Sequence, residues 1–267
     1  LSTTVRARSG SRAAPRAPRR RRAALMEDAT MQAALVDGKT LLAPSHQQCC
    51  SRLAMFTFYC AYFAELVIIS EYVLAHACSE IYDAAACAAN MTLSQEANVQ
   101  GLATTRTSFM FAAWNVTAIA TTAWMSAVSD VSGRKPVLLA SVGALLLGAL
   151  GILIVVLLDQ YVQPVDTWFL LAPLLVAGAG GTFGNYNAAL FSLVSDCSST
   201  HLRSRAFAML ESAIFLAGVV GPLAGGFLLE RLGPAAGFAV VALLFSITLL
   251  LVCQLRDVST LRSGSGR

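Results

Sequence analysis

Charge is what this sequence has least of. Asp, Glu, Lys and Arg make up only 13% of its 267 residues, against roughly 25% in an ordinary soluble domain. Over the same length 56% of the residues are hydrophobic. A water-soluble body of this size has no need of so much apolar surface, whereas a membrane bundle does. The motifs of catalysis are missing as well. There is no Gly-x-Ser-x-Gly elbow, no phosphate-cradling Walker loop and no His-Glu-x-x-His pair, which removes the commonest hydrolase and nucleotide chemistries. No cysteine spacing resembles a zinc site. An enzyme, a cofactor and a metal are therefore not expected.

The charge that is present is unevenly placed. Arg6, Arg8, Arg12, Arg16, Arg19, Arg20, Arg21 and Arg22 precede Met26, so the formal net charge of +4 conceals a remainder with 11 Lys+Arg against 15 Asp+Glu. The first 25 residues, rich in Arg, Ala, Ser and Pro, cannot bury a core. They admit three readings: a patch for nucleic acid or anionic lipid, a transit peptide, or sequence upstream of a start at Met26. The last is preferred, and no nucleic-acid partner is expected.

Six apolar stretches are long enough to cross a hydrocarbon core of about 30 Å, which takes roughly 20 helical residues. They run over about 53–77, 107–128, 137–158, 168–194, 206–229 and 235–255. They lack the ten-residue alternation of a membrane barrel. Residues 1–52 then form a basic leader and cytoplasmic N-terminus, and 256–267 a cytoplasmic tail. Positive residues collect on the cytoplasmic side. With the N-terminus inside, Lys39, Arg52, Arg134, Lys135, Arg203, Arg205, Arg256, Arg262 and Arg267 are all cytoplasmic, and Arg106 and Arg231 alone fall outside. An integral, multi-pass protein with both ends in the cytosol is expected.

The outer segment, 78–106, carries Asn90-Met91-Thr92, a glycosylation acceptor. It also carries Cys78 and Cys87, which sit in an oxidising compartment under this orientation. They can pair with each other or with something outside the chain.

The most specific signal joins the second and third spans: Ser126-Ala-Val-Ser-Asp130-Val-Ser-Gly133-Arg134-Lys135-Pro136. Gly133 permits a backbone that other residues avoid, Pro136 suits the first turn of the next helix, and Asp130 can pair with Arg134 across the turn. In the fifth span, Gly218, Gly221, Pro222, Gly225 and Gly226 allow close helix approach in lipid. Glu211 precedes them, and the steps 211, 215, 218, 222, 225 keep one face. Placing an Asp-like charge at mid-helix costs about 2.5–3.5 kcal/mol, so Glu211 is a proton-carrying candidate, with an ion pair to Arg205 as the plainer reading. Asn115, Asn185 and Asn187 are cavity-lining candidates, the last two just after Gly178-Ala-Gly180-Gly181, where they can also cap a kink. Glu65 and Glu71 are weaker candidates.

Asp130-x-x-Gly133-Arg134-Lys135 resembles the loop 2–3 signature of the major facilitator superfamily, with Ser126 where a glycine is usual. The resemblance sharpens over Ser195-Asp196, Arg203-Ser-Arg205, Met209-Leu-Glu211-Ser and Leu223-Ala-Gly225-Gly226. These are similar to the solute-carrier subfamily that includes the proton-coupled folate transporter. The resemblance implies an all-α membrane fold of two inverted three-helix repeats. It also implies a gating role for Asp130 and Arg134, proton coupling through Glu211, and a loop between spans four and five built on Asp196, Arg203 and Arg205. The expected activity is secondary transport of an organic, anionic solute with protons, in the plasma or an endolysosomal membrane. A second six-helix half is expected as partner. Where folate-transporting members carry an aspartate in the fourth helix, this chain has Gly181-Thr182, which points away from folate itself. The alternative from another class is a non-transporting receptor or scaffold, or an inactive truncated carrier.

Overall fold

The computed structural model describes residues 44–82, 87, 92–162, 164–198 and 202–255. The arginine leader, Asn90, His201 and the tail from Arg256 lie outside them. Regular structure among the described residues is helical: α1 is Pro44–Ile81, α2 Leu93–Ser132 and α3 Arg134–Tyr161. A single 3-10 turn at Thr167–Leu170 leads into α4, Leu171–Ala179, followed by α5, Thr182–Cys197, and α6, Arg203–Gln254. Four stretches are long and apolar enough to cross a membrane: Gln47–Ile81, Arg134–Tyr161, Thr167–Cys197 and Arg203–Gln254.

The second expected span lies in α2, whose length suffices but whose threonines lower its hydropathy. Those hydroxyls are satisfied locally. Thr117 donates to the Trp114 carbonyl at 2.7 Å and Thr122 to Ala118 at 2.6 Å, which removes much of the cost of burying them. The helix also begins earlier than the hydrophobic run. Residues 93–106, read from hydropathy as outer loop, are helical. The start is fixed by Thr92, whose backbone N–H donates to Gln95 Oε1 at 3.0 Å, one half of a capping box.

The fourth span is broken. Gly181 adopts φ 75 and Thr182 φ 50, so α4 cannot run into α5. The freed Gly180 carbonyl accepts Ser141 Oγ at 2.8 Å and Asn185 Nδ2 at 3.3 Å. A break in a membrane helix persists only when neighbours satisfy the backbone in this way.

α6 has 52 residues, about 78 Å if straight, more than twice a bilayer core. Gly233, with φ 82 and ψ 172, interrupts it ahead of Pro234. The neighbours along α1 show that the chain reverses there. Before the break, a Cβ on Gly221 would stand 2.9 Å from the Cys60 carbonyl oxygen, and one on Gly225 3.0 Å from Ala64 Cα. After it, Gly237 lies against Ile68, Phe245 against Phe58 with ring centroids 5.9 Å apart, and Thr248 Oγ1 lies 2.8 Å from Thr57 Oγ1. The first segment thus ascends α1 and the second descends it.

Side-chain bonds sort the loops onto two ends. At one end Lys135 Nζ donates to the Cys253 carbonyl at 2.6 Å, Gln47 bonds Cys197 and Arg203 Nη2 reaches the Ser195 carbonyl. At the other, Arg106 pairs with Glu80 at 2.6 Å and donates to Thr167 at 3.3 Å. Asp159 there accepts from Tyr72 at 2.9 Å and lies 3.1 Å from His76 Nε2. A disulfide joins Cys78 to Cys87 at that second end.

Candidate functional site

The hairpin between α2 and α3 is built by its sequence. Gly133, at φ 95 and ψ 174, occupies backbone space that is essentially glycine's alone, and it lets the two helices join without a loop. Arg134, first residue of α3, turns its guanidinium back to Asp130 Oδ1 at 2.9 Å and to Ser129 Oγ at 2.9 Å. Lys135 points the other way, onto the carbonyl end of α6, where a cation meets the negative pole of the helix dipole. A cavity of about 210 Å³ opens beside the turn, lined by Ser126, Asp130, Arg134, Asn185 and Ser192 among others. The expected gating residues and Asn185 are therefore gathered at one end of the bundle. Ser126, standing where glycine is usual, faces this cavity.

The glycines of the fifth span, in the first arm of α6, divide by role. Gly221 and Gly225 are the close-approach positions against α1, while Gly218 makes ordinary contact with Phe63 and Gly226 has nothing within 4 Å. Pro222 lies inside the helix. Along the face expected from spacing burial changes from end to end: Glu211 and Phe215 are exposed, Gly218 and Pro222 half-buried, and Gly225 buried. Among the described residues Glu211 makes no hydrogen bond or ion pair; the ion pairs present are His76–Asp159, Arg106–Glu80 and Arg134–Asp130. Arg205 is exposed, and so is Asp196 in the last turn of α5. Asn115 is exposed too, with its Nδ2 donating to the Phe111 carbonyl of its own helix at 2.7 Å. Asn187 is partly buried, its Nδ2 on the Tyr59 hydroxyl.

The residue that sequence reasoning ranked too low is Glu65. It is 0% exposed, and among the described residues neither carboxyl oxygen has a hydrogen-bond partner. Also unpartnered among the described residues are Trp114 Nε1, Tyr186 Oη and Asn187 Oδ1. All three surround the same turns of α1. Tyr186 stacks on Phe58 with centroids 3.8 Å apart, Trp114 lies 5.8 Å from the Tyr62 ring, and Asn187 holds Tyr59. These atoms belong to neighbours of Phe58, Tyr59 and Tyr62, in the two turns of α1 that lead up to Glu65. The signal in the sequence was the aromatic stripe Phe58, Tyr62 and Tyr72, seven and three residues before and seven after Glu65, which marks one face.

The Major Facilitator Superfamily model matches residues 53–265. The tetracycline resistance protein, class C, of Escherichia coli is 35% identical over 137 residues, 51% of this chain and 31% of that protein. The proton-coupled folate transporter of Rattus norvegicus is 39% identical over 127 residues, 47% of this chain and 26% of that protein. That of Bos taurus is 36% identical over 108 residues, 40% and 22%. The matched stretch spans less than a third of each of these relatives. The hairpin geometry, the membrane-length helices and a family match over most of the chain agree: this protein belongs to the Major Facilitator Superfamily, and is an integral membrane protein of the transporter class, not an enzyme.

Proposed function

We propose that the chain forms a six-helix lobe of a secondary carrier that moves a small organic anion together with protons, and that a second lobe completes the solute path. In this reading α1, α2, α3, the broken α4–α5 rod and the two arms of α6 each cross once. The Asp130–Lys135 end lies in the cytosol and the disulfide end outside, in the plasma or an endolysosomal membrane. Asn90 is then open to glycosylation. Asp130 and Arg134 set the gate, and Asn115, Asn185 and Asn187 contribute polar surface.

The observation that carries the proposal is Glu211. It is an exposed carboxylate on an apolar, membrane-length helix, with no partner among the described residues. A charge so placed is costly in lipid, and the cost is relieved if that flank faces a solute path shared with the second lobe. Two curated relatives are proton-coupled by name, which supports protons as the coupled ion. The test is uptake by the full-length protein in proteoliposomes, with labelled folate and labelled tetracycline as probes and a pH gradient imposed. Expected is gradient-driven accumulation of one probe that Glu211→Gln reduces to the level without a gradient. Rates indifferent to both the gradient and Glu211→Gln would sink the coupling. Binding of a probe without any transport would favour the receptor reading.

A further inference from the structure

We propose that Glu65 is a second proton-binding residue, which holds its proton at the middle of the lobe and is separate from Glu211. The use of that proton in transport rests on the carrier reading above; its presence on Glu65 does not.

Position comes first. Glu65 lies near the middle of the membrane-length stretch Gln47–Ile81, many residues from either end. It shares its face of α1 with Phe58 and Tyr72. In the turns before it, Phe58 meets Tyr186 of α5 and Phe245 of α6, and Tyr62 meets Trp114 of α2; beside it, Ala64 and Ile68 lie against Gly225 and Gly237 of α6. The titratable groups among them are tyrosines: Tyr59 and Tyr62 on α1 itself and Tyr186 on α5. On α1 the exposed Glu71 stands six residues, about 9 Å, beyond Glu65, and His76, which meets Asp159 at the outer end, is 11 residues, about 16 Å, along the helix. No basic side chain among the described residues pairs with Glu65. A carboxylate stripped of water, partner and counter-ion is the unfavourable form, and the neutral acid is the one such a site accepts.

Occupancy alone would describe a permanently protonated structural acid. The unpartnered atoms set against the preceding turns of α1 argue for exchange. Trp114 Nε1 is a donor, Tyr186 Oη both donor and acceptor, and Asn187 Oδ1 an acceptor. An acid O–H needs an acceptor and a departing proton leaves a carboxylate that needs donors. Both kinds are present on neighbours of Phe58, Tyr59 and Tyr62, in the turns of α1 that precede Glu65. The step balances when transport opens the site to water: the Glu65 O–H bond breaks as the proton passes to a water oxygen, and re-forms on its return.

The experiment is infrared difference spectroscopy on the full-length protein in lipid, reading the carbonyl band of a protonated carboxylic acid at neutral pH. Among the described glutamates, Glu71, Glu80, Glu96, Glu211 and Glu230 are exposed and Glu65 alone is buried. The band is expected in the wild type, lost in Glu65→Gln and kept in Glu211→Gln. A band unchanged by Glu65→Gln, or absent from the wild type, overturns the proposal. Should Glu65→Gln fail to fold, [13C]glutamate labelling decides: an isotope-shifted acid band that persists in Glu211→Gln supports Glu65, and a band that does not shift overturns it. The two readings separate cleanly. A Glu65-dependent band with no gradient-driven uptake refutes proton-coupled transport and leaves the site standing, whereas gradient-driven uptake without the band does the reverse.

Discussion

Gly225 and Gly226 are adjacent in one helix, yet the structure gives them opposite sensitivities to the smallest substitution. A Cβ at Gly225 would lie 3.0 Å from Ala64 Cα and 3.1 Å from the Ala64 carbonyl oxygen, while one at Gly226 would meet nothing within 4 Å. Both obstacles at Gly225 are backbone atoms of α1, so no rotamer change relieves them and the two helices must part by several tenths of an ångström. Overpacking of this kind costs about 1–3 kcal/mol. Against it stands the gain of replacing glycine in a helix, about 0.8–1.0 kcal/mol, which is common to both positions. The difference between Gly225→Ala and Gly226→Ala therefore isolates the packing cost. Expected is a gap of about 1–3 kcal/mol, with Gly226→Ala equal to or more stable than wild type. Reversible unfolding in detergent by sodium dodecyl sulfate, followed by circular dichroism, measures both variants on one scale. Equal stabilities, or a less stable Gly226→Ala, would refute the packing of α6 on α1 described above.

Four further outcomes follow from single contacts. With the disulfide formed, five of the seven cysteines should take up a maleimide after denaturation without reductant, and all seven after reduction; seven before reduction would exclude the bond. Arg134→Ala removes a pair that is largely open to solvent, so it should cost under about 1 kcal/mol in unfolding while depressing uptake well below wild type. Ser141→Ala deletes one of two donors to the Gly180 carbonyl; alone it should cost about 1 kcal/mol, and together with Asn185→Ala more than the two single losses combined, because only the pair leaves that carbonyl unsatisfied. Asn90→Gln should abolish a glycosidase-sensitive mass shift in material from a eukaryotic host, a check on which end of the bundle faces outward.

Much of the fold was legible because hydropathy, glycine and charge each report a local fact. The apolar runs fall within helices, Gly133 marks the hairpin and the Gly178–Gly181 run ends at the break in the fourth span. The start of α2 was missed because hydropathy records only what is apolar, and the polar turns at 93–106 carry a different signal, Thr92 with Gln95. The ends of the bundle were legible from arginine and lysine; the bonds Lys135–Cys253 and Arg106–Glu80 group the same loops.

What the sequence concealed is direction. In a soluble helix the apolar stripe points inward, but these helices are apolar on every side, so periodicity does not say which face meets a neighbour and which meets lipid. Polar residues are then the only pointers, and each is ambiguous until its surroundings are known. Glu65 and Glu71 look equivalent on paper; the structure buries the first and exposes the second. Glu65 and Glu211 look like two versions of one feature, yet they differ in kind. Glu65 is fully enclosed by the lobe itself, so its protonation should read the same whether or not a second lobe is docked. Glu211 faces outward, and its surroundings come from whatever covers that flank. A spectroscopic signature that survives removal of any partner lobe belongs to the first acid, and one that appears only on assembly belongs to the second.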